Sequence, residues 1–288
     1  MPSFDYDAIY KLPRAARYVN VSVFWIPYFP LLVRALYAMR IRHEFVTFAS
    51  ITSGLAAGWL IWSGESYGSL VAAAILVHLK DLFDACDGSL ARLTGTGHRV
   101  GRFLDTIGDG IVFTVWIAAL AARFAAAGVP AIPMWSIAVV TWLSLFLQCS
   151  YFNLYHLQYT LRAGGNTLSR IDESRKTPAR DGALLHTLHA VYRIWFGWQD
   201  RLVQWMDARM RHGRVSQADH DRWYEDRRFL TANSALCYGT HAFVLILCLL
   251  LRRPHWFFPA VAVGMNLYWL GILAARGIAY KRTVAWSN

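Results

Sequence analysis

Four aspartates between residues 84 and 109 form the part of the sequence whose spacing points most directly to chemistry. Asp84 and Asp87 are three residues apart, and Asp105 and Asp109 are four apart, so each pair projects from one face of a helix. The short loop between the pairs makes the two helices antiparallel neighbours, which allows the four carboxylates to converge. Their mutual repulsion would drive some of them to protonate unless cations are present. The pattern therefore predicts a site for hard divalent cations, Mg²⁺ first and Mn²⁺ or Ca²⁺ as alternatives.

Small and basic residues beside the aspartates indicate that the ligand carries phosphate. Gly88 and Gly101 lack side chains, so a nucleotide can approach the backbone closely. Arg92 offers a planar cationic fork to a phosphate oxygen. Any one of the aspartates alone would be interpreted as an ordinary charge at a membrane boundary, but that interpretation does not account for the whole array.

The elements that must position this array are apolar helices. The chain of 288 residues is 56% hydrophobic and 16% charged, with a mean hydropathy of +0.30, whereas a soluble domain is about 25% charged. This composition excludes a disordered chain or an ordinary water-soluble protein, and it predicts an all-α integral membrane protein. Six segments reach the roughly 20 apolar residues that a transmembrane helix needs, at about 46–64, 67–83, 103–124, 130–155, 231–251 and 255–275.

Residues 1–45 are expected to precede the transmembrane catalytic domain, which takes up residues 46–288. The apolar stretch from Val19 to Met39 is interrupted by prolines and carries an arginine, so it is predicted to be an interfacial helix and not a span. The polar stretch from Met1 to Arg17 lacks the features of a signal peptide, so we expect the mature chain to begin here.

An insertion of about residues 159–229 interrupts the membrane domain and is strongly basic. Its first part, Arg162 to Asp181, is rich in Gly, Ser, Thr and Arg and is predicted to be a loop. From Leu184 to Trp205, Leu, Val and Trp recur at spacings of three and four. This predicts a cytoplasmic amphipathic helix that lies on the inner leaflet or covers the membrane domain. Ser216 and Asp219 then resemble a capping pair at the start of a helix.

The distribution of Lys and Arg predicts the orientation, because cytoplasmic loops retain these residues. The loop after the second span and the insertion are both rich in arginine, whereas the opposite connections are poorer, with Arg252 and Arg253 as the exception. We therefore expect these two loops, both termini and the active site on the cytoplasmic side of a bacterial inner (plasma) membrane. The same rule accounts for the net charge of +11, so no nucleic-acid partner is expected.

The aspartates belong to a longer pattern of fixed positions. It reads Asp84-x-x-Asp87-Gly88-x-x-Ala91-Arg92, then eight residues, then Gly101-x-x-x-Asp105-x-x-x-Asp109. This pattern resembles the complete signature of the CDP-alcohol phosphotransferases, integral membrane enzymes of phospholipid synthesis. The resemblance covers residues 84–109 and is architectural elsewhere. It implies transfer of a phosphoryl-linked group from a cytidine diphosphate donor to an alcohol, with release of CMP.

The resemblance also implies roles for individual residues. Asp84, Asp87 and Asp105 would be metal ligands, and Asp109 would both bind metal and act as the base that deprotonates the attacking hydroxyl. The cytidine nucleotide site would consist of Gly88, Ala91, Arg92 and Gly101. Two Mg²⁺ or Mn²⁺ ions and a homodimer follow from the same resemblance.

The start of the first span departs from the family pattern. A Pro-Asn pair often precedes a Thr there, whereas this chain has His43 and Glu44 before Thr47. Thr47 therefore either contacts the nucleotide or only packs between helices. Asp81 is either a partner of the metal ligands or a solvated boundary charge, and His78 is interpreted as a structural histidine in preference to a site residue.

The leading hypothesis is a transferase that moves a phosphatidyl group from CDP-diacylglycerol to a polar alcohol. Within the same chemistry, the alternative is transfer from CDP-choline or CDP-ethanolamine to diacylglycerol. A remote alternative is a divalent cation transporter, which would need acids deep in the later spans, where the sequence has none. A phosphorylated acceptor would need a basic pocket, for which the candidates are Arg162, Arg227, Arg228 and Arg276. Each of these arginines also suits an anchor for the headgroups of membrane lipids.

Overall fold

The computed structural model describes residues 4–97, 99–164, 183–210 and 217–285. Within these ranges every regular element is helical and there is no strand, which confirms the all-α class. Five stretches are long and apolar enough to cross a membrane, namely His43–Ser63, Val100–Ala126, Ala131–Arg162, Arg227–Leu250 and Pro254–Ile278. The predicted loop after Arg162 lies mostly outside the described residues, as does Ser216 of the predicted capping pair.

The helices are numbered in chain order, and the first five follow one another with short connections. The first are α1 (Phe29–Ala38), α2 (His43–Ser63), α3 (Tyr67–Thr94), α4 (Arg99–Ala126) and α5 (Ala131–Arg162). Next are α6 (Ala183–Trp195), α7 (Gly197–Met210), α8 (Gln217–Glu225), α9 (Arg227–Ser234) and α10 (Tyr238–Leu250). A 3₁₀ turn (Pro254–Trp256), a single α turn (Phe257–Pro259) and a π-helix (Ala260–Met265) lead directly into α11 (Asn266–Ala285).

Helix α3 is not among the five apolar stretches, because Lys80, Asp81, Asp84 and Asp87 lower the hydropathy of its second half. Its start is capped by Ser66, whose side chain accepts a hydrogen bond from the Ser69 amide. The first half of the helix is apolar and contributes four buried residues, Leu70, Ala73, Ala74 and Val77. The helix is therefore divided into an apolar half and a charged half.

Two glycines bring α2 into close contact with α4. An added Cβ at Gly54 would lie 2.5 Å from Val112 Cγ1, and one at Gly58 would lie 2.5 Å from Val115 Cγ1. Small residues at this spacing allow helix backbones to approach closely in membranes. The indole Nε1 of Trp116 also donates a hydrogen bond to the Gly54 carbonyl at 2.7 Å. Helices α2 and α4 therefore pack tightly beside α3, and the three helices hold the predicted site residues.

The N-terminal segment, residues 4–28, lies against the end of the bundle at which α3 ends and α4 begins. We call this the polar end. The segment reaches α3, where Ile9 is buried, and α5, where the Tyr159 hydroxyl donates to the Ala16 carbonyl at 2.8 Å. It also reaches the Ser234 hydroxyl at the end of α9, which accepts a hydrogen bond from the Val21 amide at 2.9 Å. Thus the segment joins helices that are distant in sequence.

The insertion differs from its prediction. Instead of one helix from Leu184 to Trp205, two helices, α6 and α7, meet at Phe196, which is fully buried. The face that packs on the bundle is also offset from the predicted one, since Trp205 of the predicted apolar face is 55% exposed. The buried side chains in the described part of the insertion from α6 to α7 are Leu185, His189, Tyr192, Phe196, Gln199, Asp200, Val203 and Asp207.

Buried polar residues explain the offset. Ser150 of α5 donates a hydrogen bond to Gln199 Oε1 at 3.0 Å, and the Tyr192 hydroxyl donates to Asp200 Oδ2 at 3.1 Å. These partners let polar side chains occupy the buried face, which a search for apolar periodicity does not register. Helix α6 packs on α4 and α7 packs on α5, as expected for an insertion that covers the other helices.

Candidate functional site

The four predicted aspartates lie together at the polar end. This aspartate cluster consists of Asp84 and Asp87 from α3 and Asp105 and Asp109 from α4. Asp105 interacts electrostatically with the other three carboxylates, as Asp109 does with Asp84. The short connection between α3 and α4 brings the two pairs of aspartates to one place, as the sequence predicts.

A buried lysine, which the sequence analysis did not single out, lies within the aspartate cluster. Lys80 Nζ is 3.5 Å from Asp84 Oδ1, and it donates a hydrogen bond to Asp109 Oδ1. Its side chain is 1% exposed, and its stem passes Gly54, where an added Cβ would lie 3.1 Å from Lys80 Cγ. The signal was present in the sequence: a lysine inside an apolar run, one helical turn before an aspartate, needs a partner in the membrane.

Thr47 lies at the same site. Its hydroxyl donates a hydrogen bond to Asp87 Oδ2 at 2.6 Å and is 3.2 Å from the His43 carbonyl. Asp87 itself is 4% exposed. Thr47 therefore does more than fill space between helices, because it orients one carboxylate of the cluster.

Arg92 is held at the end of α3 by the N-terminal segment. Its Nε and Nη2 donate to the Ile9 carbonyl at 3.2 and 2.6 Å, and Nη2 also donates to Ser89 Oγ at 3.0 Å. Gly88 lies beside it, since an added Cβ there would be 3.4 Å from Arg92 Nη1. The other two predicted nucleotide residues, Ala91 and Gly101, are half-buried at the facing ends of α3 and α4.

Two further residues have clear positions. Asp81 is 6% exposed, and its Oδ2 faces Gly239 at the start of α10, so it is not a solvated boundary charge. The His78 ring packs against Trp25 with their centroids 5.2 Å apart, and His78 Nε2 forms a hydrogen bond with the Tyr28 hydroxyl. These contacts agree with a structural role for His78.

The four candidate acceptor arginines lie on three helices, with Arg162 on α5, Arg227 and Arg228 on α9, and Arg276 on α11. Arg162 Nε forms an ion pair with Asp221 at 2.9 Å, and Arg227 Nε donates to the Tyr159 hydroxyl at 3.0 Å. Arg228 is exposed. Arg276 is 7% exposed, and its guanidinium lies 3.7 to 4.1 Å from the ring centroids of Tyr155, Trp223 and Phe229. Such an enclosed arginine contributes to packing as well as charge.

Divalent cations fit the aspartate cluster by charge and donor type. As the side chains stand, no three His, Cys, Asp or Glu residues in the described part of the chain are arranged as a metal site. The cluster nevertheless brings four carboxylates together, and the enclosed ammonium of Lys80 pairs with two of them, those of Asp84 and Asp109. Burial makes such an excess of like charge costly, and carboxylate oxygens are the ligands that Mg²⁺ and Mn²⁺ prefer.

The fold and the cluster together define a helical membrane protein with an acidic site at one end of its bundle. A family model described as CDP-alcohol phosphatidyltransferase matches residues 42–204, more than half of the chain. The chain therefore belongs to the CDP-alcohol phosphatidyltransferase family, an integral membrane class of phosphotransferases that generally uses divalent metal ions. The comparison with curated proteins gives no match.

Proposed function

We propose that this protein transfers a phosphatidyl group from CDP-diacylglycerol to an alcohol and releases CMP. Membership of the family gives the reaction class. The observation that carries the proposal is the convergence of Asp84, Asp87, Asp105 and Asp109 on one site, with the spacing that the resemblance assigns to metal and donor binding.

In this proposal α3 is a sixth span, and residues 46–288 form one transmembrane catalytic domain that residues 1–45 precede. Helix α3 packs on α2 and α10, both parts of apolar stretches. Its 28 residues extend over about 42 Å, longer than the roughly 30 Å of a hydrocarbon core. The charged half can thus emerge at the polar end while the apolar half crosses the bilayer.

The polar end faces the cytoplasm of a bacterial inner membrane in this proposal, since the arginine-rich connections lie there. The N-terminal interfacial helix corresponds to α1. A homodimer is part of the proposal on the family resemblance alone.

Two Mg²⁺ or Mn²⁺ ions would be held by Asp84, Asp87, Asp105 and Asp109. They would supply positive charge to the diphosphate and to the departing CMP. Arg92, Gly88, Ala91 and Gly101 would line the nucleotide, and the Thr47 hydroxyl keeps the Asp87 carboxylate oriented.

Asp109 is proposed as the general base. It takes the proton of the attacking hydroxyl as the alcohol oxygen bonds to the phosphorus that carries diacylglycerol, and the bond from that phosphorus to the CMP oxygen breaks. Lys80 positions this base through its hydrogen bond to Asp109 Oδ1. Because substitution at phosphorus depends chiefly on positioning and electrostatics, a fixed ammonium beside the base suits this reaction.

The test is to incubate purified protein with labelled CDP-diacylglycerol, Mg²⁺ or Mn²⁺ and a panel of alcohols, and to identify the lipid product. An Asp109→Asn variant is the matched control. CMP release with a new phospholipid is the expected result. Product formed only from CDP-choline or CDP-ethanolamine with diacylglycerol would favour the alternative donor, and no product from any donor would contradict the proposal. The acceptor test includes phosphorylated alcohols, for which Arg162, Arg227, Arg228 and Arg276 remain the candidate binding residues.

A further inference from the structure

The N-terminal segment is fixed across the polar end at two places. On one side Ile9 is 1% exposed among residues of α3, and its carbonyl accepts two hydrogen bonds from Arg92. On the other side Leu12 is 6% exposed in the apolar cluster that contains Tyr155 and Tyr159 of α5. Tyr10 and Lys11 lie between these two buried anchors.

Further contacts determine the course of the segment after Leu12. Arg227 donates a hydrogen bond to the Ala15 carbonyl, and the Tyr18 hydroxyl lies 3.2 Å from His156 Nδ1 on α5. Asp7 forms ion pairs with Arg14 at 2.8 Å and with Arg17 at 2.7 Å, which close the segment on itself. The backbone around Lys11 is therefore restrained from both ends.

Lys11 lies two residues after Ile9, whose carbonyl accepts the hydrogen bonds of Arg92 at the end of α3. Its side chain is open to solvent, and no described residue forms a hydrogen bond or an ion pair with it. Although solvent reaches the side chain, the protein around it partly desolvates the ammonium. This desolvation and the Arg92 guanidinium lower the pKa of Lys11, while the carboxylates of Asp105 and Asp84 act in the opposite direction. One accessible positive charge therefore lies on the segment that Arg92 holds at the end of α3, within electrostatic reach of Asp105 and Asp84.

We propose that Lys11 binds a phosphate group of the CDP-linked donor, so that the N-terminal segment is part of the substrate site. The inference rests on the proposed function, because it assumes a nucleoside diphosphate ester at the cluster. Besides the proposed metal ions, Arg92 is the cationic side chain assigned to the nucleotide, and its fork already donates to the Ile9 carbonyl. A lysine ammonium has three donors and suits a phosphate as a point charge. Lys11 also lies outside the family match, which begins at residue 42.

The test measures the affinity of the purified full chain for CDP and for cytidine by calorimetry, with Mg²⁺ present throughout. The variants are Lys11→Met, which removes the charge and keeps much of the stem, and Lys11→Arg, which keeps the charge. Arg14→Met is the matched control, because it removes a charge from the same segment at a residue whose ion pair is with Asp7.

Lys11→Met is expected to weaken CDP binding about tenfold or more and to leave cytidine binding unchanged. Lys11→Arg and Arg14→Met are expected to bind CDP nearly as the wild type does. Unchanged CDP affinity in Lys11→Met would overturn the proposal. This holds even if the variant raised the KM of a phosphorylated acceptor, because Lys11 would then bind the acceptor and not the donor. An equal loss in Arg14→Met would overturn it too, because the effect would then come from docking of the segment. CMP release by the wild type is measured separately. Absence of that release would contradict the proposed function, whereas unchanged CDP affinity in Lys11→Met would contradict only the role of Lys11.

Discussion

Two buried polar regions of this protein differ in whether their polar groups satisfy one another through hydrogen bonds and balanced charge. In the first, Gln148 Nε2 donates to Asn266 Oδ1 at 2.8 Å, and Gln148 Oε1 lies 2.8 Å from His241 Nε2. Asn266 Nδ2 donates to Ser144 Oγ, also at 2.8 Å. This group, the Gln148 network, links α5, α10 and α11 and contains no acidic or basic chain other than the histidine. Each of its members meets another at hydrogen-bond distance.

In the aspartate cluster, the protein's own groups do not balance the charge. Lys80 pairs with Asp84 and Asp109, and the Thr47 hydroxyl donates to Asp87. Arg92 and Lys11 also act on the carboxylates, but four carboxylates outnumber these three cations, so negative charge remains in excess. A polar group in a membrane is stable when protein partners satisfy it, and a site with uncompensated charge is completed by a ligand. The difference teaches that burial of polar groups alone does not mark a functional site, whereas an excess of one charge does. The Gln148 network should therefore serve stability, and the aspartate cluster should serve binding and turnover.

The largest effect is expected from Asp87→Asn or from removal of metal. Either change takes away charge that the proposed site needs to hold the diphosphate, so turnover should be abolished. The measurement is CMP release from CDP-diacylglycerol, with and without excess EDTA after metal removal has been verified. Asp5→Asn, at a residue of the N-terminal segment, is the control. Full activity in EDTA would contradict the metal assignment.

A separation of roles is expected between Asp109 and Asp84. Asp109→Asn should lower the rate by about 10² to 10⁴, as loss of a general base does, while CDP-donor and metal still bind. Asp84→Asn should also weaken the donor that is held through metal. Donor affinity by calorimetry and single-turnover CMP release measure the two effects. If Asp109→Asn lost donor binding as completely as Asp84→Asn, Asp109 would be a ligand and the base would lie elsewhere.

An intermediate effect is expected from Lys80→Met. Breaking a buried ion pair costs about 3–5 kcal/mol, so the metal-free variant should unfold at a lower temperature than the wild type. Mn²⁺ should then raise its Tm by more than it raises that of the wild type, because the cation compensates for the lost ammonium. Thermal unfolding in detergent, with and without Mn²⁺, measures both shifts. Equal Mn²⁺ stabilisation of the two proteins would show that Lys80 does not share the charge of the cluster.

The smallest effect is expected from Gln148→Leu. This change should cost about 1–2 kcal/mol of stability and should leave the metal dependence and the KM for the donor unchanged. Val140→Leu, at an exposed position of the same helix, is the control. A changed metal requirement in Gln148→Leu would remove the distinction between the two polar regions.

Much of the site followed from the sequence because its residues are local. The aspartates on α3 and α4 are joined by a short loop, so helical spacing alone predicts their convergence. Lys80 carried a local signal in its spacing to Asp84, but its hydrogen bond to Asp109 on the next helix and its depth within the bundle are not local properties. Lys11 was missed for a stronger reason: its position depends on where Ile9 and Leu12 are buried, and no local pattern encodes that.

The helices were predictable in kind but less so in detail. The apolar run at 67–83 continues as α3 to Thr94 through charges that the site accommodates. The run at 231–251 is two helices, α9 and α10, and the apolar face of the insertion was offset because Gln199, Asp200 and Asp207 are buried. Hydropathy alone does not predict these helix ends and buried faces, because they depend on contacts between residues distant in sequence.

The π-helix before α11 sets the rotational phase of the last helix. Val261 within it is buried, and Asn266, directly after it and five residues beyond Val261, reaches the Gln148 network. Trp269 and Arg276 continue the same buried face. Each residue of an α-helix advances the chain by about 100°, so deleting one residue between Val261 and Asn266 would turn Asn266 and Arg276 away together. The length of this segment therefore matters more than the identity of its residues. Alanine substitutions there should be tolerated, and a single deletion should not.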